Sequence, residues 1–466
     1  MRWTRAVLTV CFGLAVATPA LAHSAARGFV LLLPTGYIIA GGALAVLASF
    51  VVVSLLPGRY FRQAAAWRMS IGSAPVRSGG IISLISALVL ILLIWVGLSG
   101  PEDPLENLLP LSVWTLWWAV IVLLHPVFGN LWAWLNPFTG PHALLNRLSG
   151  GRLQTPPCTF PGTLAYWPAV LIFAAFAWFQ LVYPAPEDPP ALAWVVAIYA
   201  GLTLLAVSLF GPAVWLSKGD PFAVFLWQLG AAAPLGSAPA PGLRMPGAGL
   251  LALPALPLMG TLFVLLTLSS ISFDAFSNTF VWLSMTGVNP LDYPGRTALI
   301  SINTFGLAAC FAVLALAYTT AIAAGWMWAG KPGSLQALLG RFVFSLIPVS
   351  IAFHFAHTLS DMLVNLQYVA LALNNPLGNG ANLLGLANSH VTTSFQNTAS
   401  GTLAVFMAQT AAIVIGHTIA VAAAHTMAIQ SDLPHRTVLK LEAPLAAVMV
   451  LYTAFGIWLL AAAAIR

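Results

Sequence analysis

Residues 81–99 read I-I-S-L-I-S-A-L-V-L-I-L-L-I-W-V-G-L-S, without one charged side chain. As a helix they rise about 28 Å, close to the roughly 30 Å hydrocarbon core of a bilayer. A helix also satisfies its own backbone amides, which lipid demands of any segment that crosses it. Segments of this kind recur along the chain. Counting from residue 23, ten are expected: 29–56, 81–99, 110–125, 163–183, 191–210, 249–270, 298–324, 342–373, 401–429 and 443–465. The fold class that follows is an all-α polytopic membrane protein with about ten transmembrane helices. Composition agrees, since 60% of the 466 residues are apolar and 6% are charged, against about 25% charged in soluble chains.

The first 22 residues have the layout of a secretory signal. Arg2 and Arg5 precede an apolar run, Ala6–Ala17, and Ala20-Leu21-Ala22 supplies an A-x-A cleavage site. An uncleaved anchor helix is the alternative. Cleavage leaves His23 at the mature N-terminus, outside, and 23–466 as a single multi-pass domain. Cys11 is then lost, and Cys158 and Cys310 show no pairing pattern. With an outside start, the inner segments hold twelve Lys and Arg, among them Arg59, Arg62, Arg68, Arg147, Lys218 and Arg436, and the outer ones hold Arg27, Arg296 and Arg466. That asymmetry is the positive-inside pattern. It accounts for the net charge of +6 without an acidic partner, so nucleic acid is not expected.

A duplication of about 85 residues relates 101–150 to 186–230. Pro-Glu-Asp-Pro occurs at 101–104 and 186–189, Phe-Gly at 128–129 and 210–211, and Asn136-Pro137-Phe138 is matched by Asp220-Pro221-Phe222. Asn or Asp before Pro is a helix start. Segments 138–148 and 222–229 are expected as short helices lying in the interface. Residues 231–248, rich in Ala, Pro and Gly, suggest a flexible linker. The Asn-rich loop 374–400 is long enough to be either a functional lid or disordered.

Ionisable groups inside a membrane are costly and mark function by default. Span 342–373 carries His354, His357 and Asp361, with Asn365 beyond, all on one helical face. Span 401–429 carries Gln409, His417 and His425. His354 and His417 each lie about 18 Å from the inner end of their spans. His354, His357 and His417 are therefore candidates to converge on a divalent transition metal, zinc or copper. Asp361 would orient a ligand or take a proton as the catalytic carboxylate. His425 is a further metal candidate, but it stands two turns, about 12 Å, from His417 and cannot share an ion with it directly. The alternatives are that these histidines tie helices together or pass protons or ions. A mature N-terminal His23 could hold copper with His390 of the long loop. Asp274, in F-D-A-F-S-N, suggests an interface anchor or a cap, and His125, His142 and His435 suggest structural roles. No P-loop, Rossmann fingerprint, C-x-x-C-H or G-x-S-x-G is present.

Several segments resemble the bacterial multi-pass family known as fenitrothion hydrolase and its relatives. They are A-H-S-A-A-R-G (22–28), F-A-W-F-Q-L-V-Y-P (176–184), F-D-A-F-S (273–277), F-S-L-I-P-V-S-I-A-F-H-F-A-H (344–357), G-H-T-I-A-V-A-A-A-H (416–425) and A-A-V-M-V-L-Y-T-A-F-G-I-W-L-L (446–460). The resemblance implies a multi-pass hydrolase of the bacterial cytoplasmic membrane that cleaves the P–O–aryl bond of organophosphorus triesters, with a second membrane protein as partner. Its A-H, G-H and A-H positions fall on His357, His417 and His425. Thr426 stands where relatives often carry an acidic residue, and His354 is additional. The competing class is a copper-handling or proton- or ion-coupled transport protein.

Overall fold

The structure, a computed structural model, describes residues 35–70, 79–236, 242–289 and 295–462. The signal segment 1–22 and His23, with the copper site expected of it, lie outside the described residues. Thirteen helices carry the architecture: α1 (Thr35–Leu55), α2 (Gly58–Ala66), α3 (Gly79–Ser99), α4 (Leu108–Phe128), α5 (Thr139–Leu148), α6 (Trp167–Leu181), α7 (Pro189–Phe210), α8 (Pro221–Ala231), α9 (Leu258–Ser277), α10 (Arg296–Trp328), α11 (Ile347–Asn374), α12 (Ala399–Ile429) and α13 (His435–Ala461). Among the described residues nine helical segments are long and apolar enough to cross a membrane. The tenth expected span, 163–183, is realised as α6, whose 15 residues rise only about 22 Å.

Two of the helices are central. In α9 and in the segment leading into and along α11, 72% of the most apolar window is buried, against 17% in α1 and α3. α11 packs on α12, on α9 and on the middle of α4, while α1 and α10 close the far side against α13. Small residues permit these approaches, as in other membrane bundles. Gly416 of α12 lies so close to Ala352 and the Pro348 carbonyl of α11 that a Cβ there would overlap both. The middle of α4, Leu111–Ile121, is π-helical, an irregularity often found where helices carry function.

The expected helix starts appear as caps. Asp220 Oδ1 accepts from Ala223 N–H at 2.6 Å and Asn136 Oδ1 from Thr139 N–H at 3.1 Å. The glycines of both Phe-Gly pairs have positive φ, 90° at Gly129 and 82° at Gly211, where a side chain would be strained. One expectation for this region is corrected. α8 is buried on nearly every side rather than lying in the interface. Its sequence, P-F-A-V-F-L-W-Q-L-G-A, has no polar face to give to water.

The expected linker 231–248 is also corrected. Leu235–Gly236 (β2) and Gly242–Arg244 (β3) join Arg68–Ser70 (β1) in an antiparallel three-stranded sheet of order β1-β3-β2. Arg244 holds it to α8 by donating to the carbonyls of Ala233 (2.9 Å) and Ala231 (3.0 Å). Burial and the facing Arg68 lower its pKa. The bundle thus has a sheet end, and opposite it a loop end carrying residues 375–398. That loop is tied down by Asn374, whose Oδ1 accepts from Leu384 N–H at 2.7 Å, and by Gln367, paired with Thr392.

Candidate functional site

At the loop end a cavity of about 510 Å³ opens between α4, α9 and α11. Trp114, Thr115 and Trp118 form one wall, Ser270 and Asp274 a second, and His354, His357 and Asp361 a third, with Glu187, Asn278 and Arg296 at the rim. Its centre is a direct contact between helices: His357 Nε2 lies 2.8 Å from Asp274 Oδ2. The His357 and Asp274 side chains are 31% and 21% exposed, so the pair is reachable from the cavity. Asp274 sits in the last turn of α9, and Asn278 donates to its carbonyl at 2.9 Å. Arg296 Nη1 is fixed by the carbonyls of Gln180 (2.9 Å) and Tyr183 (3.3 Å). Asp361 is exposed on the same wall, one turn beyond His357. The long loop reaches the site through Gln396, which donates to the Ser360 carbonyl at 3.0 Å.

The other candidates go elsewhere. His354 lines the cavity, but its Nε2 contacts the Trp118 carbonyl at 2.7 Å, with the Trp118 ring edge-on. His417 turns Nδ1 to the Ile413 carbonyl of its own helix at 2.8 Å and lies beside the stacked rings of Phe353 and Tyr452. A carbonyl only accepts, so the nitrogens facing Trp118 and Ile413 are N–H donors, and the lone pair of each ring sits on its other nitrogen, His354 Nδ1 or His417 Nε2. Near the sheet end, His425 Nδ1 meets both oxygens of Glu442, at 2.8 and 3.0 Å, beneath Phe61. This pair is sealed, with side chains 1% and 3% exposed. His390 is exposed on the loop.

The expected convergence of His354, His357 and His417 is therefore not what the fold assembles. Equal depth brings His354 and His417 level, but adjacent helices turn them to different neighbours. Among the described residues no three His, Cys, Asp or Glu side chains gather as a metal would need. Two carboxylates carry more than their sequence positions suggest: Asp274, in a motif that suggests an anchor or a cap, and Glu442, one residue before the expected span 443–465. Both belong to the helices themselves and pair with a histidine. His125 is structural as expected, its Nδ1 on the Ile121 carbonyl and its Nε2 accepting from Trp132 N–H.

No family profile, curated protein or solved structure matches the chain.

Proposed function

We infer that the chain is a membrane-embedded hydrolase of neutral lipophilic esters, with organophosphorus triesters as the class that the family resemblance implies. The supporting observation is the 2.8 Å contact of His357 with Asp274 at the wall of the loop-end cavity. The Asp274 carboxylate orients the His357 imidazole and stabilises the imidazolium that forms when it takes a proton. Water gives its proton to His357 and attacks phosphorus in line with the aryloxide. The P–O–aryl bond breaks, the aryloxide leaves with the bonding pair, and His357 returns its proton to the phenolate or to solvent. Arg296 at the rim offers positive charge to the anionic product.

The distribution of basic residues favours an outside loop end and an inside sheet end, in a bacterial inner membrane. Reporter fusions after Arg68 and after Arg436 are both expected to read cytoplasm. For activity, purified protein in nanodiscs is expected to release nitrophenolate from a dialkyl p-nitrophenyl phosphate, with the release lost in His357→Ala. Wild-type protein that releases none contradicts the reading.

A second reading, proton or ion passage, rests on α12. The Nε2 atoms of His417 and His425 are buried without a hydrogen-bond partner among the described residues, a state that invites water or a moving proton. Proteoliposomes that acidify under a potential in wild type but not in His417→Ala would favour it over hydrolysis.

A further inference from the structure

A second cavity, of about 780 Å³, lies beside the first, between α3, α4, α6 and α7. It falls within the roughly 300–1,000 Å³ of pockets that enclose small organic ligands. Among the described residues no charged side chain lines it, and its hydroxyls are confined to Ser86, Ser112, Thr203 and Tyr199. The Tyr199 hydroxyl is already committed to Asp220 at 2.5 Å. A charged or strongly hydrated ligand would lose its solvation there without compensation. Around its mouth, Ile85, Leu171, Ile198 and Leu202 are exposed on the apolar outside of the bundle. It therefore opens toward hydrocarbon.

Among the described residues one belongs to both cavities. Trp114 lines each of them. Its Nε1–H donates to the Pro186 carbonyl at 3.3 Å, beside Glu187 on the rim of the polar cavity. Its ring stacks on Phe176 and Phe179, which line the apolar one. An indole with a wet edge and a dry face marks a boundary between the two media. We propose that the apolar cavity holds an alkyl chain of the substrate while the ester group lies past Trp114 against His357, so that the substrate class is an ester carrying a long alkyl chain, delivered from the bilayer. This rests on the hydrolase reading and deepens it. A chain leaving lipid for an apolar cavity gains little transfer energy. What it gains is position, since the tether holds the reacting group in place.

The test uses the full-length protein in nanodiscs and a trialkyl phosphate with a diazirine-bearing dodecyl chain, which lacks an aryl leaving group and persists. Illumination is expected to label α3, α6 or α7 at the cavity, equally in wild type and in His357→Ala, with labelling severalfold weaker in Ala175→Phe and in Ser86→Phe, which fill it from opposite walls. In parallel, kcat/KM for p-nitrophenyl dialkyl phosphates is expected to rise about tenfold from methyl to octyl chains. Labelling confined to other surfaces, or unchanged in both filling variants, overturns the chain site even where hydrolysis is observed. A flat chain-length profile in an active enzyme also overturns it. Cavity labelling in a protein that cleaves no triester leaves the chain site standing and removes the hydrolase reading instead.

Discussion

Two histidine–carboxylate pairs join helices at opposite ends of this bundle, and their chemistry is nearly the same. His357 meets Asp274 at 2.8 Å and His425 meets Glu442 at 2.8 Å. Their surroundings differ. The first pair lies on a polar cavity with Asp361 and Arg296 nearby. The second is enclosed by α12, α13 and the Phe61 ring, almost without exposure. A pair that a substrate can touch is able to move a proton to or from it. A pair that nothing can reach contributes by holding α12 to α13. Access, rather than residue type, separates a site from a clasp.

The largest expected effect falls on the reachable pair. His357→Ala should lower kcat by about 10²- to 10⁴-fold, the scale of a lost general base, with the melting temperature nearly unchanged. Ester hydrolysis and thermal melting on the same preparation check it. The enclosed pair should respond in the opposite currency. Glu442→Ala leaves His425 without its partner, and breaking a buried pair costs about 3–5 kcal/mol. It should appear as a much lower melting temperature or lost expression. His425→Ala with Glu442→Ala together should recover part of that loss, because neither partner is then stranded.

Much of the fold is legible in the sequence because hydropathy reports directly on lipid. The ten spans fall where helices form, although α6 is short. The site is less legible, and α9 shows why. Its apolar run suggests a span at 249–270, but the helix starts only after Pro257 and runs on through Ser269, Ser270 and Ser272. Those serines return their hydroxyls to carbonyls three or four residues back, so a segment that looks like a polar ending stays helical and carries Asp274 inside. Glu442 was hidden in the same way, one residue before an expected span that begins instead at His435. Helical spacing correctly put His354, His357 and Asp361 on one face. It carried no information on which neighbour that face meets, and for His417 the neighbours are aromatic rings.

A smaller effect tests the frame on which both pairs rest. Gly416→Val would push its side chain into Ala352 and the Pro348 carbonyl and should cost about 1–3 kcal/mol, as overpacking does. Both pairs stand on α11 or α12, so stability should fall while the pH dependence of any residual turnover stays put. Smallest of all is His142→Ala on α5. This residue is buried away from both cavities and burial lowers its pKa, so turnover should match wild type.

Removing one carboxylate charge at each end without changing shape separates the two pairs most directly. Asp274→Asn and Glu442→Gln are to be measured side by side for turnover per folded molecule and for melting temperature. The expected result is crossed: Asp274→Asn loses most of its turnover and keeps its melting temperature, whereas Glu442→Gln loses melting temperature and keeps turnover in the fraction that folds. An Asp274→Asn protein as active as wild type, or a Glu442→Gln protein that is stable and inactive, would contradict it.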